Sequence, residues 1–212
     1  SVPDYWGNDY FDDTYVNNGE LKQYKGYCTD VFFEEGMSFM KKAAEEGKPF
    51  LSIIMPNTPH GPLVAKDKDE AAIKKILAQP EYDDMDPSLK ARLADYLGMI
   101  LNIDENMGAM MKFLDDEGLK DDTIVIFQTD NGSTHGPRYY NAGMRGGKTE
   151  LWEGGHRVPC LISWPNGGLL EPQDIHGLTQ VQDMLPTLLD LCDIPNDAKF
   201  DGMSLASILQ GR

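Results

Sequence analysis

The sequence predicts an α/β fold, a mainly parallel sheet with helices on both faces, and three observations carry that prediction. Short runs that are apolar almost throughout read as strands buried on both faces: Phe50-Leu-Ser-Ile-Ile-Met55, Thr123-Ile-Val-Ile-Phe-Gln128 and Val158-Pro-Cys-Leu-Ile-Ser-Trp164. Between them stand segments whose apolar residues recur at helical spacing. Gly and Pro punctuate the boundaries, and the alternation of strand with helix is the pattern of a layered α/β domain.

Taken in order, residues 1–27 are rich in Asp, Asn, Gly and Tyr and read as an irregular leader with turns such as Asn17-Asn18-Gly19. Val31, Phe32, Met37, Phe39, Met40 and Ala44 then make a helical stripe, capped by Thr29 or Asp30 and stopped by Gly47 and Pro49. The first strand, 50–55, opens into the loop Pro56-Asn-Thr-Pro-His-Gly-Pro62, and residues 67–78 form a charged surface helix. Asp86-Pro87 is an N-cap followed by proline at the first helical position. From there Leu89, Leu93, Tyr96, Leu97, Ile100, Ile103, Met107, Met110, Met111 and Leu114 keep one helix going until Gly118. The second strand leads into a long Gly-rich loop over roughly 129–157, and the third follows it. Asp183 caps a helix with Pro186 in its first turn, where no backbone donor is needed, and a last short helix runs from Ser204 to Gln210.

Composition narrows the function. The chain has 212 residues, with 19 basic and 35 acidic ones for a net charge of −16, so a nucleic-acid backbone is not the expected partner. No apolar run is long enough to span a membrane. Cys28, Cys160 and Cys192 share no metal-ligand spacing, and Cys160 and Cys192 read as small buried hydrophobes. The opening Ser1-Val-Pro-Asp-Tyr5 carries no targeting signal, and without an initiating Met it points to an amino terminus elsewhere.

Ligands of open α/β sheets sit beyond the carboxyl ends of the strands, which singles out three segments. Thr129-Asp130-Asn131-Gly132 follows the second strand, and Asp130 with Asn131 supplies two hard oxygens suited to calcium or magnesium. The same residues also suit a plain tight turn. His60 lies between Pro59 and Gly61-Pro62, whose prolines hold an imidazole in place for acid–base work; a solvated loop histidine is the alternative. Ala142-Gly-Met-Arg-Gly-Gly147-Lys148-Thr149 nearly copies a phosphate-binding P-loop, but no strand precedes it and no helix follows. What remains is a flexible glycine loop offering Lys148, with Arg145, to an anion.

The order of Tyr27-Cys-Thr-Asp30, Pro59-His60-Gly-Pro62, Asp104-Glu-Asn-Met-Gly108, Thr129-Asp-Asn-Gly132, Gly146-Gly-Lys148, Glu153-Gly-Gly-His-Arg-Val-Pro159 and Asp183-Met-Leu-Pro-Thr187 resembles the arylsulfatase-type sulfatases. Asp201-Gly-Met-Ser-Leu205 is similar to the end of their large catalytic domain. The resemblance implies an alkaline phosphatase/sulfatase-like fold and sulfuric ester hydrolysis by a formylglycine nucleophile beside calcium. It makes Asp130 and Asn131 metal ligands, His60 the histidine at the leaving oxygen, and Lys148 the lysine on a sulfate oxygen. His135, Arg145 and His156 flank these loops as candidate substrate contacts, alongside Arg138, Tyr139 and Trp152. The family's usual sites outside the cytoplasm imply a periplasmic, secreted or lysosomal location.

The departures are equally specific. No cysteine begins Cys/Ser-x-Pro/Ala-x-Arg, the formylglycine pattern, and Ser88-Leu-Lys-Ala-Arg92 has Lys90 where Pro belongs. The family's paired amino-terminal aspartates and its Lys-x-His segment are absent too. Residues 1–212 are therefore expected to be one incomplete catalytic domain, without the nucleophile region and the carboxy-terminal subdomain. The expected substrate is a small sulfate ester or sulfated glycan. The competing readings are a phosphoryl-transfer hydrolase of the same superfamily and a non-catalytic protein that binds calcium or sulfate.

Overall fold

The computed structural model describes residues 9–211, so the reading of the first five residues lies outside it. The fold is α/β, and the chain divides into two compact units, Ser1–Glu117 with Gly132–His156 and Gly118–Asn131 with Arg157–Arg212.

In the first unit the irregular leader contains a hairpin. β1 (Thr14–Asn17) pairs antiparallel with β2 (Glu20–Gln23), in a register running from Thr14↔Gln23 to Asn17↔Glu20. The two-residue connection is Asn18 at φ 52° and Gly19 at φ 90°, a left-handed pair that matches the twist of the strands. The Asn-Gly turn visible in the sequence was thus a hairpin signal.

The first helix, α1 (Cys28–Glu45), starts after an extended Tyr27, not under a Thr29 or Asp30 cap. Both side chains are engaged elsewhere. Thr29 pairs its hydroxyl with Thr58, and Asp30 binds Lys66, Asn102 and Asn106. The helix ends as expected, with Gly47 at φ 64° and the amides of Gly47 and Lys48 on the carbonyls of Ala44 and Ala43.

α2 (Asp67–Leu77) is polar outside, yet Ile73 and Leu77 are buried against α3 (Pro87–Asp116). The Asp86 carboxylate caps α3 by accepting from the amides of Ser88 at 2.9 Å and Leu89 at 3.0 Å, and Gly118 follows the helix at φ 68°. Leu93, Ala94 and Met99 of α3 are fully buried. Gly98 permits the closest approach: a Cβ there would lie 2.9 Å from Ala65 Cβ and 3.1 Å from the Glu70 amide nitrogen.

The predicted first strand is not formed. Residues 50–55 have the period of a strand, with Ile54 against Gly36 of α1 while Leu51, Ile53 and Met55 are 67, 67 and 80% exposed. A strand also needs a neighbour for its backbone groups, and the described strands pair elsewhere.

In the second unit β3 (Val125–Gln128) pairs with β4 (Cys160–Ser163), from Val125↔Ser163 to Gln128↔Cys160. This ladder is antiparallel, so the expected parallel pairing is absent among the described residues. α5 (Met184–Leu191) and α6 (Ala206–Leu209) are tied by Asp183 and Thr187. The Asp183 carboxylate accepts from the amides of Gln180 at 2.9 Å and Met203 at 2.8 Å. Thr187 donates to the Asp183 carbonyl at 2.6 Å and accepts from the Leu205 amide at 2.8 Å. Cys160 and Cys192 are exposed, correcting their expected burial. Cys160 opens β4, whose residues are mostly uncovered, and Cys192 is the C-cap of α5. No described helix is long and apolar enough to cross a membrane.

Asp30 joins α1 to α3 and to the residue before α2. Its Oδ1 accepts from Asn102 and Asn106, each at 2.8 Å, and its Oδ2 from Lys66 Nζ at 2.5 Å. Burial works against the ionised form, but the hydrogen bonds from Asn106, Lys66 and Asn102 outweigh it and hold the carboxyl below the usual aspartate range. Because the folded value is depressed, the associated stability is present above the unfolded value of about 4 and is lost as pH falls through the folded one. Asp30→Ala should destabilise by about 1–2 kcal/mol at pH 7, since it removes the shared acceptor of Lys66 and Asn102, while Asn106 keeps the Asn102 carbonyl. Urea denaturation at pH 7 and pH 3.5 checks this, and the difference between variant and wild type should shrink at the lower pH.

Candidate functional site

The His60 loop is anchored from three directions within the first unit. The Tyr10 hydroxyl donates to the His60 carbonyl at 2.5 Å, and Tyr10 itself is buried, stacked on Tyr27 with centroids 5.7 Å apart. The first turn of α1 supplies Cys28 Sγ, which donates to Asn57 Oδ1 at 3.4 Å, and the Thr29 hydroxyl paired with Thr58. Within the loop the His60 amide donates to the Asn57 carbonyl at 2.8 Å. The Tyr27-Cys-Thr-Asp30 segment, a helix start and one of the ordered motifs, therefore holds the loop that carries the candidate acid.

His60 is exposed, and its Nδ1 lies 2.8 Å from the Gly61 carbonyl oxygen. A carbonyl only accepts, so Nδ1 carries the proton in this contact and Nε2 is the nitrogen left to take up or give a proton. Burial pushes the Cys28 thiol up, which keeps it a protonated donor and removes it as a nucleophile.

Lys148 sits half-buried in a loop whose glycines make close backbone contacts. A Cβ on Gly132 would lie 1.9 Å from the Gly154 carbonyl oxygen, and one on Gly154 would lie 2.1 Å from that of Gly146. One on Gly147 would lie 2.8 Å from the Ser133 carbonyl oxygen. These backbones touch because no side chains separate them. The Asn141 amide donates to the carbonyls of Met144 at 2.7 Å and Gly146 at 2.8 Å, and the Lys148 amide donates to the Ser133 carbonyl at 3.2 Å. Thr149, β-branched, is held at φ 75°, a strained conformation of the kind concentrated at functional sites. A P-loop is excluded locally, since the next helix, α4 (Glu153–His156), has four residues and does not open at Lys148.

The flanking residues differ in use. His135 packs its ring on Tyr96 at 5.6 Å, and burial, with the nearby charges of Arg92 and Arg138, lowers its pKa, so it is neutral at pH 7. The Arg145 guanidinium lies 3.5 Å from the centre of the Trp152 ring, a cation–π contact. His156 ends α4 and is exposed.

Asp130 and Asn131 belong to the second unit, directly after β3. Asp130 is exposed, and the Asn131 amide nitrogen donates to its Oδ2. The donor chemistry suits a hard cation, but the described residues contain no cluster of three or more acidic, histidine or cysteine side chains able to hold a metal. These two residues fit as part of a calcium shell and do not make a whole one.

Comparison with known proteins agrees with the motif order. Residues 2–194 match the sulfatase family model. The chain is 30% identical over 199 residues to the sulfatase YdeN of Escherichia coli (strain K12), covering 92% of this chain and 33% of that protein. It is 29% identical over 210 residues to the N-acetylgalactosamine-6-sulfatase of Homo sapiens, covering 96% of this chain and 36% of the relative. The crystal structure of Ps i-CgsB in complex with k-i-k-neocarrahexaose superposes with a TM-score of 0.73 at 26% identity, over 92% of this chain and 41% of that one. The chain thus spans about a third of the length of these curated relatives.

The glycine contacts give a direct test. Gly132→Ala and Gly154→Ala should each destabilise by about 1–3 kcal/mol or more, because backbone cannot yield as a side chain can. Gly108→Ala, inside α3 with nothing within 4 Å of the new Cβ, should instead stabilise by about 0.5–1 kcal/mol. Thermal unfolding of the three variants measures both signs.

Proposed function

The chain belongs to the sulfatase family, and from that premise we propose that the protein it is part of hydrolyses the sulfate ester of a carbohydrate or aryl alcohol. The observation that carries the reading is His60: an anchored imidazole with Nδ1 on a carbonyl and Nε2 free for proton exchange. As the S–O bond breaks, negative charge collects on the departing alcohol oxygen, and the doubly protonated ring neutralises it by giving up the Nε2 proton while Nδ1–H stays on the Gly61 carbonyl. Lys148, fixed by its glycine-locked loop, sets an ammonium against the sulfate oxygens as their charge grows. Arg145, over Trp152, presents a planar donor edge to a further acidic group of the substrate. His135 and His156 stand as the neighbouring substrate contacts.

Asp130 and Asn131 would hold a calcium ion with ligands from outside this sequence, and such an ion would offset sulfate charge. The attacking group is expected to be a formylglycine, and the Cys/Ser-x-Pro/Ala-x-Arg pattern that produces it does not occur in these 212 residues. Carbohydrate esters are favoured by the similarity to an N-acetylgalactosamine-6-sulfatase and to a structure holding a neocarrahexaose.

The full-length protein should hydrolyse a sulfate ester faster than the matching phosphate ester. His60→Ala should lower kcat/KM by about 10²–10⁴-fold and Lys148→Ala by about 10²–10³-fold. Calcium removal should lower activity reversibly, and residues 1–212 alone should give no turnover above a buffer blank. A preference for the phosphate ester would replace this reading with phosphoryl transfer. Sulfate binding without hydrolysis of either ester would make the protein a non-catalytic binder.

A further inference from the structure

Tyr82 ends the 3-10 turn Pro80–Tyr82, and Tyr139 directly follows the turn Gly136–Arg138. These rings, 57 residues apart in sequence, stack at the surface with centroids 6.2 Å apart and planes 21° from parallel. Their hydroxyls lie 3.3 Å from one another. Beside them Tyr140 is 74% exposed.

The turn carrying Tyr139 and Tyr140 is fastened to the Lys148 loop. Both tyrosine amides donate to the Gly136 carbonyl, at 2.9 and 2.8 Å. The Gly136 amide donates to Ser133 Oγ at 2.9 Å, and the Ser133 carbonyl accepts from the Lys148 amide at 3.2 Å. Pro137 packs so close to Gly147 that a Cβ there would lie 3.3 Å from its Cγ. The aromatic surface and Lys148 are thus built on one locked loop.

The exposed rings of Tyr139 and Tyr140, with half-buried Tyr82 beneath Tyr139, have hydroxyls at their edges and match the two sides of a sugar, apolar C–H faces and a hydroxyl rim. A tyrosine also covers much area while freezing few torsions. A chain of net charge −16, with Glu81 bonded to the Tyr82 hydroxyl, is poorly suited to gripping a polyanion by bulk attraction, so ring stacking is the fitting way to hold the sugars next to a sulfated one.

We propose that Tyr82, Tyr139 and Tyr140 form a glycan subsite that stacks a sugar ring adjoining the sulfated residue, making the substrate an oligosaccharide in preference to a small aryl sulfate. This rests on the sulfate-ester reading of the Lys148 loop, but its binding arm is measured without any turnover.

The test uses the full-length protein and a panel of galactose- and N-acetylgalactosamine-containing hexasaccharides, each sulfated and chemically desulfated. Calorimetric titration should show saturable binding of at least one desulfated hexasaccharide, weakened about tenfold or more by Tyr82→Ala and by Tyr139→Ala. Tyr139→Phe, which keeps the ring, should retain binding within about threefold, separating stacking from misfolding. In turnover, the ratio of kcat/KM for a sulfated hexasaccharide to that for p-nitrophenyl sulfate should fall by about tenfold in the alanine variants. Absence of binding by the wild type to every desulfated hexasaccharide overturns the proposal, as does binding that the alanine variants leave intact. Equal losses on the hexasaccharide and p-nitrophenyl sulfate would mean that the tyrosines hold an aryl group, which overturns it too. Tyrosine-dependent binding with no sulfate ester hydrolysed would sustain the subsite and defeat the catalytic reading.

Discussion

The Asp30 carboxylate is the constraint on which the first unit depends. Three donors from two other places in the sequence, Lys66 and the pair Asn102 and Asn106, meet on its two oxygens. A part-buried carboxylate is held ionised by such partners, and they in turn are satisfied by it. The residue thereby ties the first turn of α1 to α3. The same turn carries Cys28 and Thr29, which meet Asn57 and Thr58 of the next loop. His60 is placed two residues further on. The candidate acid is thus positioned by a charge that takes no part in the chemistry.

Around Lys148 the same result is reached without charge. Gly132, Gly147 and Gly154 let backbone rest on backbone, and the amide of Asn141 closes the loop by binding two of its carbonyls. A lysine is a flexible point charge, so it becomes useful to an oxyanion when its own backbone is fixed. The strained backbone at Thr149 belongs to the same economy of space, since the chain must turn sharply where no side chain can intervene. Arg145 lies over Trp152 in the same loop, and Tyr139 stacks on Tyr82 of the Pro80–Tyr82 turn.

Much of this was legible beforehand, and the exceptions have physical causes. The long helix with its Asp86-Pro87 start and Gly118 end needed only local rules, because caps and periodicity act within a few residues. The hairpin at Asn18-Gly19 is equally local, and its signal is the Asn-Gly pair itself, because the flanking residues Thr14–Asn17 and Glu20–Gln23 do not alternate cleanly. Phe50 to Met55 had the composition of a strand, but strand formation is a property of pairs, and the described ladders lie elsewhere. Cys160 and Cys192 sat among apolar neighbours in the sequence, which says nothing about which side of an element is covered.

The sequence by itself determined the family, the chemistry available at His60, Lys148, Asp130 and Asn131, and the helices that local capping and spacing define. Those are properties of residue type and order. Only the tertiary structure decided what Asp30, Asn106 and Thr29 are for, because a carboxylate's partners 72 and 76 residues away leave no trace in local pattern. It also decided that Gly132, Gly147 and Gly154 serve contact, while Gly143 and Gly146 supply the left-handed backbone at φ 72° and 74°. A glycine looks the same in a sequence whether its missing side chain admits motion or admits a neighbouring carbonyl, and the distances to Gly154 and Ser133 choose the second.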